Sequence, residues 1–197
     1  MKGALLALLG VAAASASTCV ELPIEDYGKV RIELTDDGTP RTVANFLSYV
    51  DDKGYDGTIF HRVIENFMIQ GGGYTSSLKA TSTSSPIKDE ASTGLSNSYG
   101  TIAMARTSQA DSATNQFFIN THDNSYLDYS SSSDGYCAFG TVTSGMDVVD
   151  AISEVATHTT SGMSDVPKTL VVIKKVRRTD RSYSTPAGPR HVRRTYC

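Results

Sequence analysis

Apolar residues fall in short runs with two different periods. Val30, Ile32 and Leu34 alternate with Arg31 and Glu33, which predicts a half-exposed strand ended by Asp36-Asp37-Gly38. Thr39-Pro40 then reads as a helix N-cap with proline in the first helical position. Val43, Phe46, Leu47 and Val50 follow at i, i+3, i+4 and i+7, so this helix lays one apolar face on a core before Lys53-Gly54 closes it. Two apolar runs, 59–64 and 67–69, flank the polar pair Glu65-Asn66 in a hairpin-like pattern that leads into three glycines, 71–73. Short strands are predicted over 100–106, 115–119, 136–142 and 169–176, with Phe117 and Phe118 on opposite faces. A second helix follows Ser144-Gly145, marked by Met146, Val149 and Ile152.

The remaining stretches are polar. Residues 73–99 read as one long loop, and a loop of that length is more often functional than idle. Residues 107–114 and the Tyr126-Leu127 pair fall in further loops, and the Ser-rich 130–134 reads as a mobile low-complexity insertion. Several short strands with two isolated helices predict a mainly-β barrel or sandwich with helices over its open ends.

The run 59–64 carries an anomaly. Strict alternation puts Arg62 on the same face as Phe60 and Ile64. A guanidinium among apolar groups must be paired or do chemistry. The plain alternative is an arginine that snorkels from a sheet edge or pairs with Glu65.

Composition narrows the classes. At 197 residues, 39% hydrophobic and 20% charged, the chain matches one globular domain with short extras. With no Trp, its core must be filled by aliphatics, 6 Phe and 10 Tyr. Cys19, Cys137 and Cys197 show no metal-ligand spacing; Cys137, amid Tyr136, Ala138 and Phe139, reads as a buried apolar residue, and Cys19 and Cys197 could pair only if the two tails met. No metal or other cofactor is implied.

The termini stand apart. Residues 1–16 read as a signal peptide, with Lys2, an Ala- and Leu-rich stretch, and Ala14-Ser15-Ala16 before the cleavage point. Export is therefore expected, to a periplasm, the secretory route or, with further signals, a plastid lumen. Residues 17–27 read as an N-terminal linker. Residues 179–197, with four arginines and two prolines, read as a disordered basic tail. That tail could bind anionic lipid or nucleic acid, but it lacks a stacking platform, and a solvated appendage with no specific nucleic acid is the expectation.

Phe60-His61-Arg62-Val63-Ile64 followed by Phe67-Met68-Ile69-Gln70-Gly71-Gly72 resembles the signature of the cyclophilins, which are peptidyl-prolyl cis/trans isomerases. Met104-Ala105-Arg106-Thr107, Gln116-Phe117-Phe118-Ile119 and Gly145-Met146-Asp147-Val148-Val149 resemble the bacterial-type branch. The resemblance implies a closed eight-stranded antiparallel barrel capped by two α-helices over 28–178, with a peptide groove on its outer face. It implies Arg62 as the catalytic residue, with Phe67, Met68, Phe118 and Leu127 around the proline ring. Phe60 is then expected beside Arg62, Gln70 to orient Arg62, and the Arg106 backbone to bind the peptide. Ala105, Gln116, Tyr126 and Tyr136 complete the expected substrate contacts. His61 lines the groove or packs structurally, since amide rotation transfers no proton.

Two positions depart from many eukaryotic members: Tyr126 stands where they carry tryptophan, and Tyr136 where they carry a groove histidine. Retained isomerase activity with weak cyclosporin binding is the implied outcome. The expected partners are proline-containing peptides and unfolded proteins, and a monomer that assists protein folding is expected. The competing reading is a non-catalytic, proline-peptide-binding chaperone module, against which the intact Arg62, Phe67, Gln70 and Phe118 set argues.

Overall fold

The computed structural model describes residues 18–179. The signal-peptide reading and all but the first residue of the basic tail, including Cys197, lie outside them. Ten strands and two helices follow in the order β1 (Thr18–Ile24), β2 (Gly28–Leu34), α1 (Pro40–Asp51), β3 (Thr58–Ile64), β4 (Met68–Thr75), β5 (Thr101–Met104), β6 (Phe117–Asn120), β7 (Ala138–Ser144), α2 (Met146–Ser153), β8 (Thr157–Thr160), β9 (Met163–Pro167) and β10 (Arg177–Arg178). Eight of the strands form one curled sheet in the order β10-β1-β2-β7-β5-β6-β4-β3, and every pairing in it is antiparallel.

The predicted last strand, 169–176, closes the curl rather than adding a regular member. On one side the backbone amide of Ile173 donates to Thr58 O (2.8 Å) and that of Phe60 to Val171 O (3.0 Å). On the other, Lys174 N donates to Pro23 O (2.8 Å) and Glu25 N to Val172 O (2.9 Å). Main-chain hydrogen bonds thus run from β3 through 171–174 to β1, leaving no open edge there.

The interior, which has no tryptophan, is built on an aromatic cluster. Phe46 of α1 lies 5.1 Å from Tyr55, 5.6 Å from Phe117 and 5.3 Å from Phe139, centroid to centroid. Such tilted and edge-to-face pairs add to the burial of their area. Val43, Leu47 and Val50 bury the predicted face of α1, and Val149 and Ile152 that of α2. Cys137 is a free, buried thiol whose pKa burial pushes up to about 11, as its apolar neighbours suggested.

Four features differ from the sequence reading. The supposed linker 17–27 contains β1, whose Val20 and Leu22 pair with Ile32 and Val30 of β2. Glu21 obscured its apolar pattern; that carboxylate is buried on the opposite face because Lys29, Arg31 and Arg177 surround it at 3.3, 3.2 and 2.6 Å. Burial raises its pKa, but these three cations outweigh that and hold it below the usual value. Thr39 does not cap α1 with its side chain; its hydroxyl donates to Thr35 O (2.6 Å). Glu90, from the long loop, caps instead, accepting from Arg41 N (3.2 Å), Thr42 N (2.8 Å) and the Thr42 hydroxyl (2.8 Å). The β8–β9 hairpin was not foreseen, although Ser161 and Gly162, both at positive φ (51° and 76°), form a two-residue turn of the kind hairpins favour. Residues 130–134, read as an insertion, fold into a turn in which Ser130 N donates to Ser133 O (2.9 Å).

Gly72 combines a left-handed backbone with close packing in the sheet. Its φ is +86°, and a Cβ there would lie 2.8 Å from the Tyr55 ring, 3.0 Å from Asn115 O and 3.0 Å from the Phe117 ring. Gly72→Ala is expected to destabilise the fold by about 2–4 kcal/mol, from backbone strain plus overpacking. Urea unfolding against wild type measures it; an unchanged midpoint would contradict this account.

Candidate active site

One irregularity sets the sidedness of β3. Phe60 pairs with Gly71 of β4 and Arg62 with Gln70, so two steps on β3 face one step on β4. This extra residue is a β-bulge, and it changes the phase of the strand. Phe60 is fully buried against Phe117 (6.0 Å) inside the sheet, whereas the Arg62 side chain is 41% exposed on the outer face. Val63 then joins the interior and Ile64 packs against the outer apolar cluster.

That outer cluster is the floor of a groove. Met68 of β4, Phe118 of β6, Ala103 of β5 and Ala138 of β7 are buried on the outer face, and Phe67, Ala105, Leu127 and Tyr136 pack around them. A cavity of about 250 Å3 opens above, lined by Arg62, Phe67, Met68, Gln70, Ala105, Arg106, Phe118, Leu127 and Tyr136. The Arg62 guanidinium thus stands beside an apolar slot large enough for a proline ring. A second opening of about 140 Å3 continues past Gln70 and Arg106 to Thr107, Ser112, Thr114 and Gln116.

The walls are held by hydrogen bonds, not by packing alone. The Arg106 guanidinium donates to Gly135 O from Nε (2.8 Å) and Nη2 (2.6 Å), and lies 4.5 Å from the centre of the Tyr136 ring. Tyr136 meets Phe118 edge to face at 5.9 Å. Behind them Asn97, Asn120 and Asn124 are almost wholly buried. Asn124 Nδ2 donates to Phe67 O (2.9 Å) and to Asn120 Oδ1 (2.8 Å), and Asn97 Nδ2 donates to Tyr136 O (3.0 Å) and Asp128 Oδ1 (2.9 Å). Burial raises the Asp128 carboxyl, yet donors from Ser96 and Asn97 outweigh it and keep its pKa below the usual value. One satisfied polar network therefore fixes the backbones of Phe67 and Tyr136 on opposite sides of the slot.

Among the described residues no group of His, Cys, Asp and Glu could hold a metal ion. His61 is no proton carrier either. It is buried against Tyr74 (ring centroids 4.6 Å apart), its Nδ1 has no partner, and burial pushes its pKa down to about 4.

The model of the cyclophilin type peptidyl-prolyl cis-trans isomerase family matches residues 19–178. The chain belongs to this family. A peptidyl-prolyl cis-trans isomerase of Acinetobacter baylyi is 52% identical over 170 residues, spanning 86% of this chain and 90% of the relative. Peptidyl-prolyl cis-trans isomerase B of Escherichia coli is 51% identical over 154 residues, 77% of this chain and 94% of the relative. The crystal structure of a Cryptosporidium parvum cyclophilin type isomerase has a similar fold, with a TM-score of 0.67 at 23% identity, covering 86% of this chain and 99% of that one. The chain is accordingly a peptidyl-prolyl cis/trans isomerase, and the family match begins within β1, where a linker was expected.

In this cyclophilin the groove brings nine of the twelve expected site residues to one cavity. Phe60 does not reach it, because the bulge turns it inward. Gln116 lines the adjoining opening and accepts at 2.9 Å from the Gln70 amide, which ties Gln70 to Gln116. Tyr126, 69% exposed, stacks on Phe67 (6.3 Å) at the rim. Asp165 of β9 was not foreseen; its Oδ2 lies 3.8 Å from Arg62 Nε. The Ser161-Gly162 turn signal could have revealed the hairpin, but not its packing on β3.

His61 also sets an acid limb. Its folded pKa lies below the ordinary 6.5, so the unfolded chain binds the proton first; its contribution is complete above about pH 6.5 and is lost as pH falls toward 4. Stability should drop by about 2 kcal/mol between pH 7 and pH 5, before carboxylates titrate. Urea midpoints at the two pH values measure it, and His61→Gln should flatten the difference.

Proposed function

We propose that Arg62 is the catalytic group and that the slot beside it holds the proline ring of flexible or unfolded protein segments. The observation that carries this is the shared cavity: an exposed guanidinium and the apolar side chains Met68, Phe118 and Leu127 line one space. Rotating an Xaa-Pro bond means breaking amide resonance, a barrier of about 18–20 kcal/mol, between end states that differ by only ~0.5–1 kcal/mol. No bond is made or broken, so neither nucleophile nor proton relay is needed. The slot fixes the ring while the preceding carbonyl swings. Arg62 donates to that carbonyl and toward the prolyl nitrogen, which favours the pyramidal nitrogen of the twisted state. An arginine suits the role because it stays charged and offers five donors. Preorganised donors of this kind stabilise the transition state electrostatically.

We also propose that residues 1–16 direct export, that the mature monomer begins after Ala16, and that it assists folding of exported clients. Cyclosporin should bind weakly, because Tyr126 at the rim offers a phenol where many eukaryotic relatives offer an indole N–H. An inhibition titration giving nanomolar affinity would contradict that.

The central test is exchange NMR on a capped Ala-Pro peptide. Wild type should accelerate exchange, and Arg62→Ala should lose about 100-fold or more while keeping its unfolding midpoint. Peptide binding without acceleration by wild type would instead indicate a non-catalytic binding module.

A further inference from the structure

Arg62 has a partner that proline binding does not require. Its guanidinium Nε lies 3.8 Å from Asp165 Oδ2, beyond hydrogen-bond reach, so the pair is Coulombic rather than directional. Asp165 sits on β9, which packs across β3. Its backbone φ is +60°, a left-handed conformation that Asp tolerates better than most residues. The hairpin that carries it is anchored: Val166 is fully buried, Pro167 is buried, and Lys168 N donates to Ala156 O at 2.8 Å. The backbone that carries the carboxylate is thus part of an anchored element.

The contact also has a direction. A carboxylate that competed with substrate would take the two terminal nitrogens of the guanidinium, where bidentate pairing is available. Here the nearest approach is at Nε, the single N–H on the stem side. Arg62 stands between the proline cavity and a third opening, under the hairpin turn, lined by His61, Tyr74, Gln116 and Met163 among others. An arginine so placed has two spaces to sweep, and both side chains of the pair are about two-fifths exposed (41% and 37%). At that exposure an ion pair biases a rotamer more than it stabilises a fold.

We propose that Asp165 is a positioning residue for catalysis: from β9 it holds Arg62 by the Nε end, leaving the terminal nitrogens to meet the prolyl carbonyl. The inference rests on the role given to Arg62 above. It predicts a loss in the rate of the bound step and not in substrate affinity, because Asp165 does not line the proline cavity.

The test uses the full mature chain and the isosteric Asp165→Asn, since Asn also tolerates positive φ. With a capped, uncharged Ala-Pro peptide, kcat should fall about two- to fivefold at unchanged KM. The Nε–Hε resonance of Arg62 should shift and its proton should exchange faster with solvent. In an Arg62→Ala background, Asp165→Asn should change nothing further. Unchanged or raised kcat, a change confined to KM, or an equal loss without Arg62 would each overturn the proposal. Should the variant not fold, salt titration of wild type decides. Screening of the exposed pair should lower kcat and speed Hε exchange together, and indifference of both to salt overturns it. If wild type fails to accelerate exchange at all, the isomerase reading falls, while the Hε signal still reports whether the pair exists.

Discussion

Between Phe60 and Arg62, β3 carries one residue more than β4 opposite it, and the placement of the groove depends on that mismatch. With unbroken alternation Arg62 would share the interior face with Phe60, which lies against Phe117. An unpaired guanidinium there would cost several kcal/mol in desolvation, far more than a bulge. The extra residue lets Phe60 complete the aromatic core, frees Arg62 to stand outside and returns Val63 to the interior. The glycines opposite make this possible. A Cβ on Gly71 would lie 2.9 Å from the Phe60 ring, and one on Gly73 would lie 2.5 Å from the Gln116 side chain. The sheet is thus closest-packed where its register slips.

The groove on the outer face combines a rigid wall and one loosely held cation, Arg62. Its wall is rigid because the polar groups behind it are satisfied: Asn97, Asn120 and Asn124 bond one another, Asp128 and the main chain of Phe67 and Tyr136. A half-satisfied network would be worse than an apolar one, and this one is buried and paired. Arg106 is spent in the same way, on Gly135 O and the Tyr136 ring. Two arginines line one cavity, yet they do different work. Arg106 is locked as part of the wall; Arg62, in a loose ion pair with Asp165, keeps the freedom that its proposed role at a moving carbonyl requires.

Much of this was legible in the chain and some could not be. Val30, Ile32 and Leu34, and the i, i+3, i+4 series of α1, report their faces because their periods are unbroken. Most of the groove was legible because its residues are concentrated in two short motifs. Phe60 was misplaced because period-2 reasoning cannot see a bulge, which is a property of two strands and not of one. β1 was taken for a linker because Glu21 and Pro23 look hostile to a strand, and only the fold supplies Lys29, Arg31 and Arg177 to the one and the Lys174 amide to the carbonyl of the other. Glu90 as the cap of α1, and Asp165 as the neighbour of Arg62, join residues 48 and 103 positions apart. No local pattern encodes either.

The same division explains why the chemistry can be so sparse. Isomerisation moves no proton and transfers no electron, so His61 is buried, neutral and without a hydrogen-bond partner on Nδ1 beside Arg62 at no cost to the reaction. Its cost falls on stability instead, as an acid limb. What the reaction needs is a difference in grip between the planar and the twisted amide. An apolar slot alone would hold both equally, because it contacts the ring and not the bond. A cation alone, free in solution, would be hydrated and weak. In the role proposed for Arg62, a guanidinium set at the edge of a slot with rigid walls would meet the carbonyl and nitrogen only after the ring is fixed, so that the remaining freedom is rotation about the bond itself.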